Sequence, residues 1–148
     1  MIDHARADEI DFVEGCWKDS QRSYYDGVPS KWYYRSMRAT VRGHIARSLV
    51  LVDRSADGVA LGYIVAERVN DSMRVHHLYV RKDFRQEGRG LALLAKACEM
   101  LGGDKLEYTC RVMRARKYEE RRPWTVARWC KSLGAKFVVG EEAARESA

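Results

Sequence analysis

Two adjoining stretches carry residues whose types and spacing could do chemistry. The first is Val75-His76-His77-Leu78-Tyr79-Val80, an apolar run interrupted by two histidines. The second is Arg81-Lys82-Asp83-Phe84-Arg85-Gln86-Glu87-Gly88-Arg89-Gly90, a charged loop that ends in two glycines. Histidine's ordinary pKa lies nearest neutrality, so each histidine is a candidate general base. Strict alternation along a strand places His76 and His77 on opposite faces. Downstream, Leu91, Leu94, Cys98 and Leu101 recur at three- and four-residue spacing, which predicts a helix with one buried stripe opening at about Gly88 to Leu91. A helix start presents unbonded N–H groups and the positive end of the dipole. Glycines beside it let an anion reach the backbone. Arg81, Lys82, Arg85 and Arg89 add long-range attraction. The unit therefore reads as an anion cradle. It is not the dinucleotide pattern Gly-x-Gly-x-x-Gly, because its glycines are only 88 and 90, and no Gly-Lys-Ser/Thr follows.

The elements that must position this unit follow from periodicity. Ile10, Val13, Cys16, Trp17 and Ser20 predict a helix over 8–25, broken by Asp26-Gly27-Val28-Pro29-Ser30. A second helix is expected from about 30 to 46, with Tyr33, Met37, Val41 and Ile45 on one face. Strands are expected at Leu49–Val52, Ala60–Val69 and Arg74–Val80, joined by short turns as an antiparallel meander. Gly102-Gly103 ends the central helix, and Leu106, Tyr108 and Cys110 alternate as a strand. Pro123 to Leu133 reads as helix and Phe137 to Val139 as a last strand. Residues 141–148 read as a frayed tail. The order is ααβββαβαβ, an α/β mixed sheet with one central crossover helix, within a single domain spanning 1–148.

The 148 residues suit one domain with a real core. Hydrophobic residues at 46% and charged residues at 32% favour a globular chain over disorder. No apolar run approaches the roughly 20 residues that span a bilayer, and the start does not read as a signal peptide. Cys16, Cys98, Cys110 and Cys130 form no Cys-x-x-Cys pair, so reduced thiols, no metal site and a cytoplasmic location are expected. The formal net charge of +6 attracts polyanions without choosing among them.

The loop and its setting resemble the GNAT superfamily of N-acetyltransferases. That signature is Arg/Gln-x-x-Gly-x-Gly/Ala after a strand ending Leu-x-Val. Here Arg85-x-x-Gly88-x-Gly90 follows Leu78-x-Val80 and precedes the apolar Leu91-Ala92-Leu93-Leu94. The stretch from His76 to Leu94 is similar to the equivalent part of arylalkylamine N-acetyltransferases, including Phe84-Arg85-Gln86. The resemblance implies an acetyl-CoA site built largely from backbone. Leu78, Tyr79 and Val80 would pair with the pantetheine arm. The N–H groups of Gln86, Glu87, Gly88, Arg89, Gly90 and Leu91 would hold the pyrophosphate, beside Arg85. It also implies direct transfer to an amine in a ternary complex.

By the same resemblance, His76 matches a histidine that assists proton removal, while the second histidine of that pair would fall at Arg74. Glu67, on the preceding strand, is a further base candidate. The family's acid, a tyrosine on the last helix, falls at Cys130. Cys130 could donate a proton or be a small buried side chain, and Tyr118 could supply a phenol instead. The acceptor would be a small amine, a lysine or a protein N-terminus.

Residues 111–131 hold Arg111, Arg114, Arg116, Lys117, Arg121, Arg122, Arg128 and Lys131 against Glu119 and Glu120. A solvated face is the plain reading. Contact with an acidic protein or the cofactor's 3′-phosphate comes next, and nucleic acid last. The alternative to an enzyme is a non-catalytic acyl-CoA-binding module that uses this segment to grip an acidic protein or nucleic acid. Family members commonly carry one more strand than this chain supplies after Val139. An early-ending sheet or a covering partner subunit, and hence a homodimer, would follow.

Overall fold

The computed structural model describes residues 1–25, 27–103, 105–108 and 136–138. Strand β1 (Ile2–His4) opens the chain, followed by helices α1 (Ile10–Gln21) and α2 (Ser30–Arg47). Strands β2 (Leu49–Arg54), β3 (Ala60–Val69) and β4 (Ser72–Val80) come next. Helix α3 (Arg89–Leu101), β5 (Lys105–Tyr108) and β6 (Lys136–Val138) complete the described elements. All six strands form one sheet in sequence order. The first four run antiparallel, while β4–β5 and β5–β6 pair in parallel.

The expected elements are present over the described residues, with two differences in layout. Strand β1 was not expected: three residues carry too little pattern to stand out, yet they pair with Leu51–Asp53 at the sheet edge. The predicted first helix is shorter, because Ala7–Glu9 and Arg22–Tyr25 are 3-10 turns flanking α1. The helix expected over 123–133 and the tail over 141–148 lie outside the described residues. Strand β6 pairs directly with β5.

The sheet separates two apolar layers. On one face α3 buries Leu93, Leu94 and Ala97 against Leu51, Ile64, Ala66, Met73, Val75 and Leu106. The buried stripe thus runs through Leu93 and Leu94; Leu91, expected on it, is only half-buried. On the other face α1 and α2 contribute Val13, Trp17 and Val41 against Val50, Val52, Tyr63 and Val65. The faces alternate along β3, with Tyr63 and Val65 on the α1–α2 side and Ile64 and Ala66 on the α3 side, as pleating requires.

Charged groups tie these layers together. Arg54, 6% exposed, donates from Nε to Glu9 Oε1 at 2.6 Å and from Nη2 to Oε2 at 2.8 Å. Burial alone would raise the Glu9 carboxyl. The hydrogen bonds from Arg54 and from the Arg6 backbone, with the charges of both arginines, together outweigh it and hold the pKa below its ordinary value. Tyr33 donates its hydroxyl to the Lys18 carbonyl, which joins α2 to α1. Desolvation pushes that phenol up to about 12.

Candidate active site

Strand β4 is irregular where the histidines sit. Val65 pairs with His77 and Ala66 with Val75, so His76 is an extra residue in the ladder, a β-bulge. The bulge resets the alternation. Met73 and Val75 face α3 before it, and Leu78 and Val80 face α3 after it. Both histidines consequently face α1 and α2. His77 stacks on Trp17 of α1, with ring centroids 5.2 Å apart, and His76 lies against His44 of α2 at 4.1 Å. The expectation of opposite faces is corrected: it assumed an unbroken period of two.

The two side chains then meet different chemistry. His77 is buried, with Ser20 Oγ 3.0 Å from Nε2 and Tyr63 Oη 2.8 Å from Nδ1. Ser20 spends its single proton on the Trp17 carbonyl at 2.8 Å. His77 Nε2–H must therefore donate to Ser20, and Nδ1 accepts from Tyr63. Both ring nitrogens are used inside the core, and desolvation pushes the pKa down to about 3. His77 is a structural histidine.

His76 is also buried, at 2% exposure, but its Nε2 lies 3.1 Å from Glu67 Oε1. A carboxylate can only accept here, so Nε2 carries the proton and Nδ1 the lone pair. Desolvation lowers the pKa of His76, against the opposing pull of Glu67. The imidazole is neutral at neutral pH, the form a proton acceptor needs.

Beyond the bulge, β4 continues as Leu78-Tyr79-Val80; the described residues of β5, Lys105–Tyr108, pair with Ser72 to Val75. The last part of β4 pairs on its other edge with Ile64, Tyr63 and Gly62. Gly62 is required there: a Cβ would sit 2.6 Å from the Tyr79 carbonyl oxygen. Leu78 and Val80 pack with the α3 layer, and Tyr79 stacks on Tyr63 at 5.6 Å.

The loop after β4 turns through the 3-10 segment Lys82–Phe84 and reaches α3 through two left-handed residues, Gln86 (φ 67°) and Gly88 (φ 77°). Gly88 caps α3, and the first intrahelical bond runs from Ala92 N–H to Gly88 O at 3.0 Å. The N–H groups of Arg89, Gly90 and Leu91 precede that bond and have no carbonyl within the helix to receive them. A Cβ on Gly90 would lie 3.8 Å from Val80 Cγ2 and 3.9 Å from Leu78 Cδ2, so Gly90 borders the end of β4. Backbone donors, a left-handed glycine cap and the positive end of α3 fit a phosphate diester.

The arginines brace this loop. Arg85 donates to the Val80 carbonyl at 2.7 Å and lies over the Tyr79 ring. Arg89 donates to Asp53 of β2 and to Glu87, each at 2.9 Å. Their charge still contributes to the local field, but their hydrogen bonds go first to the protein. An open groove of about 460 Å³ runs past the loop between β1, β2 and the first turn of α3, lined by Met1, Ile2, Asp53, Glu87, Gly88, Arg89 and Ala92.

Cys130 and Tyr118, with the basic segment 111–131, lie outside the described residues. Three further groups at the site drew no notice in the sequence: Ser20, His44 and Arg47. Ser20 was read only as part of a helical period, and isolated residues of α2 carry no motif. Among the described residues no His, Cys, Asp and Glu cluster suits a metal ion, and no helix is long and apolar enough to cross a membrane.

An antiparallel meander, a bulged fourth strand and an N–H-rich turn into the central helix together define an acyl-CoA-dependent transferase fold. The model of the Acetyltransferase (GNAT) family matches residues 13–120, and the chain belongs to that family as an acyltransferase. Solved structures agree on the fold. A Pyrococcus furiosus protein assigned as an acetyl transferase has a TM-score of 0.63 at 19% identity, over 82% of this chain and 91% of that one. The PaiA N-acetyltransferase of Thermoplasma acidophilum, solved with coenzyme A, gives 0.51 at 20% identity, over 68% and 70%. The enzyme AAC(6')-Iy, bound to the bisubstrate analogue CoA-S-monomethyl-acetylneamine, gives 0.51 at 16% identity, over 92% and 90%. No curated protein matches the chain by sequence. Acetylation dependent on acetyl-CoA is the activity of this family.

Proposed function

We propose that the chain transfers an acetyl group from acetyl-CoA to a primary amine by direct attack in a ternary complex. The observation that carries this reading is the bulge at His76, which sets a neutral imidazole paired with Glu67 directly before the Leu78-Tyr79-Val80 end of β4 that leads to the N–H-rich start of α3. When bound, acetyl-CoA supplies an activated thioester. The N–H groups from Gln86 to Leu91 receive the pyrophosphate, and the backbone of Leu78, Tyr79 and Val80 aligns the pantetheine arm as an added strand.

His76 accepts the proton that the attacking amine loses, through Nδ1 directly or across one water. Glu67 holds the Nε2–H tautomer and stabilises the imidazolium that forms. The departing thiolate takes a proton from Cys130, Tyr118 or water. AAC(6')-Iy carries an aminoglycoside-derived group in its analogue complex, which supports an amine acceptor for this chain as well. The location we propose is the cytoplasm, where acetyl-CoA is available.

Calorimetric titration with acetyl-CoA, followed by thiol release across a panel of small amines, lysine peptides and N-terminal peptides, tests this reading. Binding with turnover of at least one amine is expected. Binding without turnover on any acceptor would convert the reading to a non-catalytic module, and absence of binding would refute it.

A further inference from the structure

Helix α2 reaches the proposed base through a closed circuit of side chains. Arg47 Nη2 lies 2.6 Å from His44 Nδ1, and Arg47 Nε lies 3.7 Å from Glu67 Oε2. Glu67 Oε1 lies 3.1 Å from His76 Nε2, and the His76 and His44 rings close the circuit at 4.1 Å with a 32° tilt. We propose that Arg47 and His44 are positioning residues for His76, Arg47 by sharing the Glu67 carboxylate with the His76 ring and His44 by covering that ring. This rests on the reading of His76 as the base.

The argument runs from what each group can donate. A guanidinium only donates, so His44 Nδ1 must accept from Arg47, and His44 keeps its proton on Nε2. Protonating His44 would break that bond and set a second cation beside Arg47. Burial first, then the neighbouring His76 and Arg47, push His44 down to about 4. His44 therefore covers His76 as an uncharged plate. Arg47 is further tied to the Gly43 carbonyl at 3.2 Å, so it is held at three points although half its side chain is exposed. By sharing Glu67, Arg47 keeps that carboxylate from turning wholly onto His76.

Among the described residues, the charged and titratable groups facing His76 include Glu67 from β3, Arg74 from β4, and His44 and Arg47 from α2; α1 contributes the uncharged Trp17 beside His44. Of these, Glu67 raises the basicity of His76, whereas Arg47 and Arg74 lower it. Removing Arg47 must therefore raise the pKa of His76.

The test is proton NMR of the histidine rings in the whole chain without added ligand, across roughly pH 4 to 8. Resonances are assigned from His76→Ala and His44→Phe variants. We expect the His76 midpoint in Arg47→Met to rise by roughly half a pH unit, a modest shift because Arg47 is solvent-screened. Arg47→Lys should fall between the two, and His44→Phe should move the same way as Arg47→Met. His77, whose ring should stay neutral across this range, serves as the control. An unchanged His76 midpoint in Arg47→Met would overturn the proposal, as would His77 resonances displaced as far as those of His76. Loss of amine acetylation in His76→Ala is read separately: its absence removes the role of His76 as base, while the midpoints still decide whether α2 controls that ring.

Discussion

His76 and His77 are neighbours in sequence and point to the same side of the sheet. The pair can do so only because His76 has no opposite residue in the β3 ladder. One ring is then absorbed by the core, between Trp17, Ser20 and Tyr63, and the other meets Glu67 and His44. The bulge thereby divides two similar side chains between packing and chemistry. It also lies immediately before Leu78-Tyr79-Val80, so the proposed base and the proposed pantetheine track are neighbours on one strand.

The division predicts different pH effects on catalysis. His76→Ala should lower kcat/KM by about 10² near neutral pH and by much less where the amine is already deprotonated. His76→Gln, which keeps a polar group toward Glu67, should not rescue it. The check is the pH–rate profile of acetyl-CoA-dependent amine acetylation. A profile unchanged in shape removes His76 from proton transfer.

His77 should govern stability instead. Its pKa is depressed to about 3 in the fold, against an ordinary value of 6.5 in the unfolded chain. Between these values the unfolded chain binds a proton that the native protein refuses, so stability falls as pH drops below about 6.5. The expected loss is on the order of 1 kcal/mol per pH unit from this histidine. His77→Phe keeps a ring on Trp17 and should flatten that slope, although it costs stability at neutral pH by leaving Ser20 and Tyr63 without their partner. Urea denaturation at several pH values measures both effects.

Glycine positions around the loop should separate binding from folding. A side chain on Gly90 meets only ordinary contacts in the protein, so Gly90→Ala should leave the melting temperature nearly unchanged. It should still weaken coenzyme A binding by about tenfold or more, because the methyl group enters the proposed cradle. Gly88 has φ 77°, and Gly88→Val should cost about 1–2 kcal/mol of strain as well as affinity. Calorimetry with coenzyme A and thermal denaturation, run on both variants, test the pair. Full affinity in Gly90→Ala would place the pyrophosphate elsewhere.

Gly62 answers to the sheet alone. Its missing Cβ leaves room for the Tyr79 carbonyl, which would otherwise lie 2.6 Å away. Gly62→Ala should destabilise by about 1–3 kcal/mol through forced separation of β3 and β4. Denaturant unfolding measures this, and a neutral result would show that the strands part without cost.

The buried Arg54–Glu9 pair should be worth most when only one partner is removed. Glu9→Gln should cost about 3 kcal/mol, because Arg54 stays charged and 6% exposed. The depressed Glu9 pKa adds stability above the unfolded carboxylate value and gives it up as pH falls through the lower folded value. Acid unfolding of the native protein against Glu9→Gln reads this difference.

Much of this architecture was legible before any coordinate. Tyr33, Met37, Val41 and Ile45 mark the inner face of α2, and all four pack inward. Strand β3 has the bounds its alternation suggests. These elements are long, and many residues vote for one period. Strand β1 had only three residues to speak for it. In α3 the expected Leu94, Cys98 and Leu101 do pack inward, and only Leu91 gives way to Leu93, because the two leucines look the same in sequence. The aromatic residues of α1 and α2 divide in the same way: Trp17 and Tyr33 are buried, while Trp32 is 58% exposed.

The local chemistry of Arg85-Gln86-Glu87-Gly88-Arg89-Gly90 was readable in the chain: a glycine able to take φ 77°, a helix start and an apolar stripe behind it, all set by neighbours a few residues apart. The fate of the histidines was not, because packing settles it. The bulge, the Glu67 partner nine residues earlier and the His44–Arg47 pair on α2 depend on how β3, β4 and α2 lie against one another. A side chain's basicity is set by the charges and the water around it, and packing supplies both from distant parts of the chain.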